Sequence, residues 1–175
     1  MKSFMFGLLL GVVVVVCGAF AYFISGRAPV ATSAAPIPFE KYLAKKALDA
    51  RVTREMPNTV PIPADEPNLL AGARVFRDNC AVCHGLPGQP VTAIASGMFP
   101  KPPQLFRGKG VTDDPVGESY WKVVNGIRLS GMPGFQQSLS DTQAWQVSLM
   151  VANAGKLPDA VQAALSSPAS SPSTK

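Results

Sequence analysis

Two of the three cysteines in this 175-residue chain stand beside its single histidine. Cys80-Ala81-Val82-Cys83-His84 is the C-x-x-C-H pattern in which two thiols add across the vinyl groups of a heme and the adjacent imidazole reaches the iron. The spacing suits that chemistry, because cysteines three apart lie on one side of a helical turn and the next residue projects toward the ring centre. Other uses of the same residues fit less well. A thioredoxin-like redox pair wants a strand before it and a helix after it, whereas here a helical pattern precedes and no strand is visible. A structural zinc site needs at least one further ligand, and no second cysteine pair or histidine follows. A disulfide between Cys80 and Cys83 is the state expected of an exported chain to which no heme is ever attached.

The second axial position of such an iron takes a neutral ligand or stays open, and without another histidine the candidates are methionines. Met98, Met132 and Met150 lie downstream. Met150 falls within a helical pattern, where filling the core is the default role. Met98 lies in Ser96-Gly97-Met98-Phe99-Pro100 and can approach the heme edge. Met132 is the preferred ligand: glycine and proline on both sides, in Ser130-Gly131-Met132-Pro133-Gly134-Phe135, hold a non-helical backbone close to the ring and aim one thioether at the iron.

Three helical patterns must position these residues. Leu69 to Asn79 carries Leu70, Ala73 and Phe76 at helical spacing, opens after Asn68 as N-cap and ends at the first cysteine. Pro115 to Asn125 has a proline in its first turn, Asp113, Asp114 and Glu118 near its start, and an apolar side of Tyr120, Trp121 and Val124, and it is stopped by Gly126. The third begins at Ser140 as N-cap, carries Ala144, Trp145, Leu149 and Ala152, and closes at Gly155. Nothing alternates as a strand does, so the class is all-α. Between the first two patterns, residues 85–110 contain Pro87, Pro90, Pro100, Pro102 and Pro103, a long irregular loop that three short helices could not organise without a cofactor.

Composition bounds what surrounds this unit. At 47% hydrophobic and 15% charged residues the chain is too apolar to be disordered, yet 17 prolines and 15 glycines assign much of it to linker and loop. Basic residues exceed acidic ones by 16 to 11 but are spread along the chain, which is not the density of a nucleic-acid binder. Residues 1–25 are a transmembrane anchor or signal peptide. The uncharged run from Phe4 to Ile24 is long enough to span a bilayer, while Ala19-Phe20-Ala21 fits a small-x-small cleavage pattern. The anchor is preferred, since the apolar run exceeds a usual signal core, and either way the remainder is exported. Cys17 lies in this run without the small residue expected next to a lipidated cysteine, and reads as a small apolar side chain.

Residues 26–67 form a Pro- and Ala-rich linker with a short charged helix between Glu40 and Glu55, which either packs on a partner, lies near lipid headgroups, or is simply solvated. Pro57, Pro61, Pro63 and Pro67 then favour an extended lead into the heme domain, residues 68–157. Residues 158–175, rich in Ser, Ala and Pro, are expected to be a disordered tail.

The order of Cys80-Ala-Val-Cys83-His84-Gly85, the loop Phe99-Pro100-Lys101-Pro102-Pro103-Gln104-Leu105, Tyr120-Trp121 through Asn125-Gly126-Ile127, Gly131-Met132-Pro133-Gly134-Phe135, Leu139-Ser140-Asp141 and Trp145 closely resembles the class I cytochrome c domain, most of all its membrane-anchored, single-heme bacterial members. The one departure is a tyrosine common in the last helix of such domains, replaced here by Leu149 or Met150. The resemblance implies three to four short helices wrapped around one covalent heme c, with Cys80 and Cys83 as thioether anchors, His84 and Met132 as the axial pair, and the first and third helices crossing beside the heme.

With both axial positions filled, the implied activity is outer-sphere electron transfer rather than catalysis. That makes the chain a periplasmic monoheme carrier, or an electron-transfer subunit of a respiratory or dehydrogenase complex, tethered to the cell membrane as a single-pass protein and serving membrane-associated redox donors and acceptors. The alternative is a heme enzyme or sensor with a labile Met132. Expected cage residues are Phe76, Phe99, Leu105, Trp121, Val124, Ile127, Phe135 and Trp145. A backbone carbonyl near Pro100 or Pro102 should accept from His84, and Arg107, Lys109, Arg128 or the Trp121 indole is a donor for the propionates. Eight basic against five acidic residues in 68–157 suit an acidic partner.

Overall fold

The computed structural model describes residues 1–107 and 113–166, and the chain divides into two units, residues 1–40 and residues from 41 onward. In the first unit, α1 (Lys2–Ile24) is a single helix of 23 residues with a mean hydropathy of 2.6 over its most apolar window and no buried residue. It is apolar on every side, as a helix surrounded by lipid is and a surface helix of a globular domain is not. At 1.5 Å per residue it is long enough to cross a hydrocarbon layer of about 30 Å. Ser25 ends it, donating its backbone N–H to the Ala21 carbonyl and its hydroxyl to the Tyr22 carbonyl at 2.8 Å.

In the second unit every regular element among the described residues is helical: α2 (Glu40–Glu55, from Lys41 on), α3 (Glu66–Asn79), α4 (Ala81–His84), α5 (Ala93–Gly97), α6 (Val116–Asn125), α7 (Asp141–Ala152), a 3-10 turn (Ala154–Lys156) and α8 (Asp159–Ser166). α7 lies at the centre, packed on α3 and on α6, while α8 packs on α3. Phe76, Val147, Met150, Val161 and Leu165 from these helices are almost wholly buried in one cluster with Leu69, Ala73, Val75 and Leu149. Each large apolar side chain so buried stabilises the fold by about 1.5–3 kcal/mol. Met150 therefore fills the core, as its helical spacing suggested.

The crossing of α3 and α7 depends on a glycine. A Cβ at Gly72 would lie 2.2 Å from the Gln146 carbonyl oxygen and 2.9 Å from the Met150 Cβ, so the two backbones touch at the one position without a side chain. Beside the contact, the Gln146 amide donates to the Asn68 side-chain oxygen at 3.0 Å.

Three boundaries differ from the sequence reading. α3 starts at Glu66, capped by Asp65, whose carboxylate accepts from the Asn68 N–H at 3.1 Å; Pro67 sits in the first turn, where its missing N–H costs nothing. α7 ends at Ala152, before Gly155, with Asn153 as C-cap; its start at Ser140 is a full capping box with Gln143. The largest correction is at the C-terminus. Residues 159–166 are not a disordered tail but α8, which buries Val161 and Leu165 against α3 and supplies the Ala164 carbonyl to the Arg77 guanidinium at 2.9 Å. The two apolar residues, four apart, make one buried stripe that the surrounding Ser, Ala and Pro composition masked. The rest of that stretch, 167–175, lies outside the described residues.

α2 is likewise no solvated linker helix. Val52 is 2% exposed, the Trp121 indole N–H donates to Glu55 Oε2 at 3.3 Å, and a Cβ at Gly117 would meet the Pro57 carbonyl oxygen at 2.0 Å.

Candidate heme site

The C-x-x-C-H motif occupies one tight turn. α3 ends with the Cys80 N–H donating to the Phe76 carbonyl, and the same Cys80 is the N-cap of α4, so that Cys80, Cys83 and His84 share a single helical turn directly after α3. Gly85, at φ +76, leaves that turn in a conformation an L side chain resists, and a Cβ there would lie 2.5 Å from Gln104 Oε1.

The proline-rich loop straps this turn down. His84 Nδ1 lies 2.9 Å from the Pro103 carbonyl oxygen; a carbonyl only accepts, so Nδ1 carries the proton and the Nε2 lone pair is left for a metal. Gln104 donates its amide to the Cys83 carbonyl at 2.9 Å, and the Leu105 N–H donates to the His84 carbonyl at 3.2 Å. From the other side, the Thr92 hydroxyl donates to the Val82 carbonyl at 2.6 Å and also caps α5. The expected acceptor for His84 was a carbonyl near Pro100 or Pro102, and it is that of the next residue, Pro103. Prolines are suited to the role, because they keep the chain extended and offer carbonyls without competing N–H groups. Gln104 and Thr92 were not anticipated, and no local signal marks their bonds to the Cys83 and Val82 carbonyls.

Electrostatics separates this cysteine pair from a redox-active one. Burial, reinforced by Cys83, pushes the Cys80 thiol up to about 12, the opposite of the lowered value that makes a thioredoxin-like pair reactive. Burial also holds His84 below its ordinary value, with the Pro103 hydrogen bond partly opposing it, so the imidazole is neutral and available as a ligand.

Met132 is set by a second tight turn, folded back on the end of α6. Gly126 caps that helix at φ +68, and a Cβ there would lie 2.4 Å from the Gly134 nitrogen and 2.9 Å from the Met132 carbonyl oxygen. The turn is closed by Ile127 N–H to the Met132 carbonyl at 3.1 Å and by Met132 N–H to the Ser130 hydroxyl at 3.2 Å. Phe135 and Gln136 N–H then donate to the Val123 and Val124 carbonyls, satisfying acceptors that the end of α6 would leave bare. Met98 comes to the same turn, its methyl so close to Gly131 that a Cβ there would lie 1.9 Å away.

The apolar residues expected as a cage fall into two groups. Phe76 and Trp145 are buried, the first edge-on to Phe106 at 5.2 Å and the second stacked on Tyr120 at 3.9 Å. Phe99, Leu105, Trp121, Val124, Ile127 and Phe135 are only half-buried. α6 is amphipathic, yet Gly117 is its sole buried residue. Two thiols, an imidazole with a free Nε2, a thioether held in a tight turn and six half-buried apolar side chains are a donor set whose chemistry fits a flat apolar macrocycle with a metal at its centre. Of the expected propionate donors, Trp121 is bonded to Glu55, Arg107 donates to the Gln89 carbonyl, Arg128 is exposed, and Lys109 lies outside the described residues.

The family model described as cytochrome c oxidase, cbb3-type, subunit III matches residues 67–149, which contain both turns. Cytochrome c6 of Limnospira maxima is 37% identical over 84 residues, 48% of this chain and 90% of that protein. The chain belongs to the class I c-type cytochromes. Its cofactor class is therefore heme c and its activity that of an electron carrier, on an all-α fold preceded by an apolar helix that is a candidate membrane span. This cytochrome is also similar to a solved chain of a reducing HAO-like protein complex of Kuenenia stuttgartiensis, at 26% identity and a TM-score of 0.47, covering 54% of this chain and 46% of that one. It thus spans about half the length of that solved chain.

Proposed function

We propose that this cytochrome carries one heme c, bonded through Cys80 and Cys83, with His84 Nε2 and the Met132 thioether as axial ligands, and passes single electrons between redox partners on the periplasmic face of the cell membrane to which α1 tethers it. It serves as a carrier or as an electron-transfer subunit of a respiratory or dehydrogenase complex. When bound, the heme supplies a one-electron couple at its iron. The chain's own residues do the rest. Pro103 holds the His84 ring by Nδ1, Gln104 and Thr92 hold the backbone around it, and the Gly126 turn holds Met132, so that both ligands stay still while charge changes. With His84 and Met132 both holding it, the iron would have no open position for a substrate, which favours outer-sphere transfer over catalysis.

The hydrogen bond from His84 to Pro103 carries the reading, since it selects the tautomer a metal needs in the one histidine of the motif. The test is a heme-stained denaturing gel together with visible and near-infrared spectra of the exported protein and of Met132→Ala. A covalent heme band is expected, with the methionine-to-iron charge-transfer band present in the wild type and absent from the variant. Survival of that band would move the ligand to Met98, and a high-spin ferric wild type that binds cyanide readily would favour an enzyme or sensor.

A further inference from the structure

We propose that the outward side of α2 is a membrane-surface site that rests on anionic phospholipid headgroups and so fixes the orientation of the heme domain above the bilayer. The inference rests on the tether proposed for α1 and goes beyond it.

α2 has two sides with different partners. Toward the domain, Val52 is buried, Glu55 accepts from the Trp121 indole, and Lys41 Nζ lies 5.4 Å from the centre of the Phe99 ring, so the helix is pinned both to α6 and to the loop that carries Met98. Away from it, Tyr42 and Leu43 are 60% and 61% exposed without an apolar neighbour to cover them. Lys46 Nζ stands 5.9 Å from the Tyr42 ring, and Lys45 is exposed beside its partner Asp49. The segment keeps a net positive charge: residues 40–55 hold five basic against three acidic side chains, and with Glu55 paired to Arg51 and Arg54 and Asp49 to Lys45, Lys46 has no acidic partner among the described residues.

An aromatic and an aliphatic side chain flanked by lysines suit the boundary between headgroups and acyl chains, where the rings and methyls bury shallowly and the ammonium groups meet phosphate. So small an apolar area binds weakly alone, and the geometry of the chain supplies what is missing. Fifteen residues, 25–39, separate the end of α1 from α2. Fully extended they span at most about 50 Å, so a bilayer holding α1 is always within reach of α2, which an acidic protein in solution is not. Because α2 is packed on the domain, the segment between anchor and domain is residues 25–39, and a domain bonded to a surface-lying α2 presents one constant side to partners in that membrane.

The test uses the full heme-loaded chain in nanodiscs, with Cys17→Ala and a nitroxide spin label on Leu43→Cys. Accessibility of the label to a water-soluble nickel complex is expected to fall several-fold in equal parts phosphatidylcholine and phosphatidylglycerol relative to phosphatidylcholine alone, and to be restored by Lys45→Gln with Lys46→Gln. Equal accessibility in both lipids, or protection that appears only when an acidic redox protein is added, overturns the proposal. Flotation in high salt separates the two readings: a chain that stays with the bilayer while its label stays exposed loses only the α2 site, and one that washes off loses the tether as well. An unchanged heme spectrum in each variant shows that the domain has folded.

Discussion

The two sides of α7 are built on different principles. Against α3 it makes a conventional helix crossing, closed by Gly72 and filled by Phe76, Val147 and Met150, in which protein side chains complete the packing. Against α6 it makes one aromatic stack, Tyr120 on Trp145, whose tyrosine hydroxyl donates to Asp141, while the other large apolar residues of α6 stay half-buried. One side is a core in its own right, and the other leaves apolar side chains half-covered. A domain this small can hold a heme because one well-packed helix pair anchors loops that the cofactor then fastens.

Experiments can break or sharpen that contrast. The largest effect is expected at the crossing: Gly72→Val must separate two touching backbones, and destabilisation of about 3 kcal/mol or more should appear as loss of holoprotein or a steep drop in its thermal midpoint. A Gly72→Val protein as stable as wild type would mean that the crossing is not as tight as the geometry requires. Next, Leu165→Ala should cost about 2–5 kcal/mol in denaturant unfolding, because α8 belongs to the same core, whereas a true tail would give no change.

On the cofactor side the signature should be spectroscopic more than thermodynamic. Gly126→Ala puts a Cβ where the Met132 turn closes, at a positive φ, and should weaken or abolish the methionine-to-iron band while costing about 1–3 kcal/mol. The smallest effect belongs to α2. The Arg51 hydrogen bond holds Glu55 below its ordinary value against an opposing desolvation, with Trp121 and Arg54 adding to the lowering. A depressed carboxylate contributes stability that is present above its unfolded value and lost as pH falls through the folded one. Glu55→Gln should therefore differ from wild type at neutral pH and converge with it in acid, with Trp121 fluorescence reporting the same change.

The site was more legible than its support. Cys80, Cys83, His84 and the glycine–proline setting of Met132 stand out because their chemistry demands fixed neighbours in the chain, and the caps at Ser140 and Gly126 follow from equally local rules. Gln104, Thr92 and Gly72 were invisible for the opposite reason. Each acts on a backbone atom far away in sequence, and nothing in its own surroundings says which carbonyl it will meet. The misread α8 and the undecided role of α2 share one property: few apolar residues inside a polar or proline-flanked stretch, too sparse to distinguish a docked helix from a linker or tail.

Covalent and short-range constraints thus decided the cofactor class, the all-α character and the apolar N-terminal helix directly from residue order, since they act over a few neighbouring positions. Tertiary packing alone decided which carbonyl orients His84, where α3 and α7 touch, and that α2 and α8 belong to the domain. Those outcomes depend on the summed burial and hydrogen bonding of residues far apart in the chain, and no single stretch of sequence carries that sum.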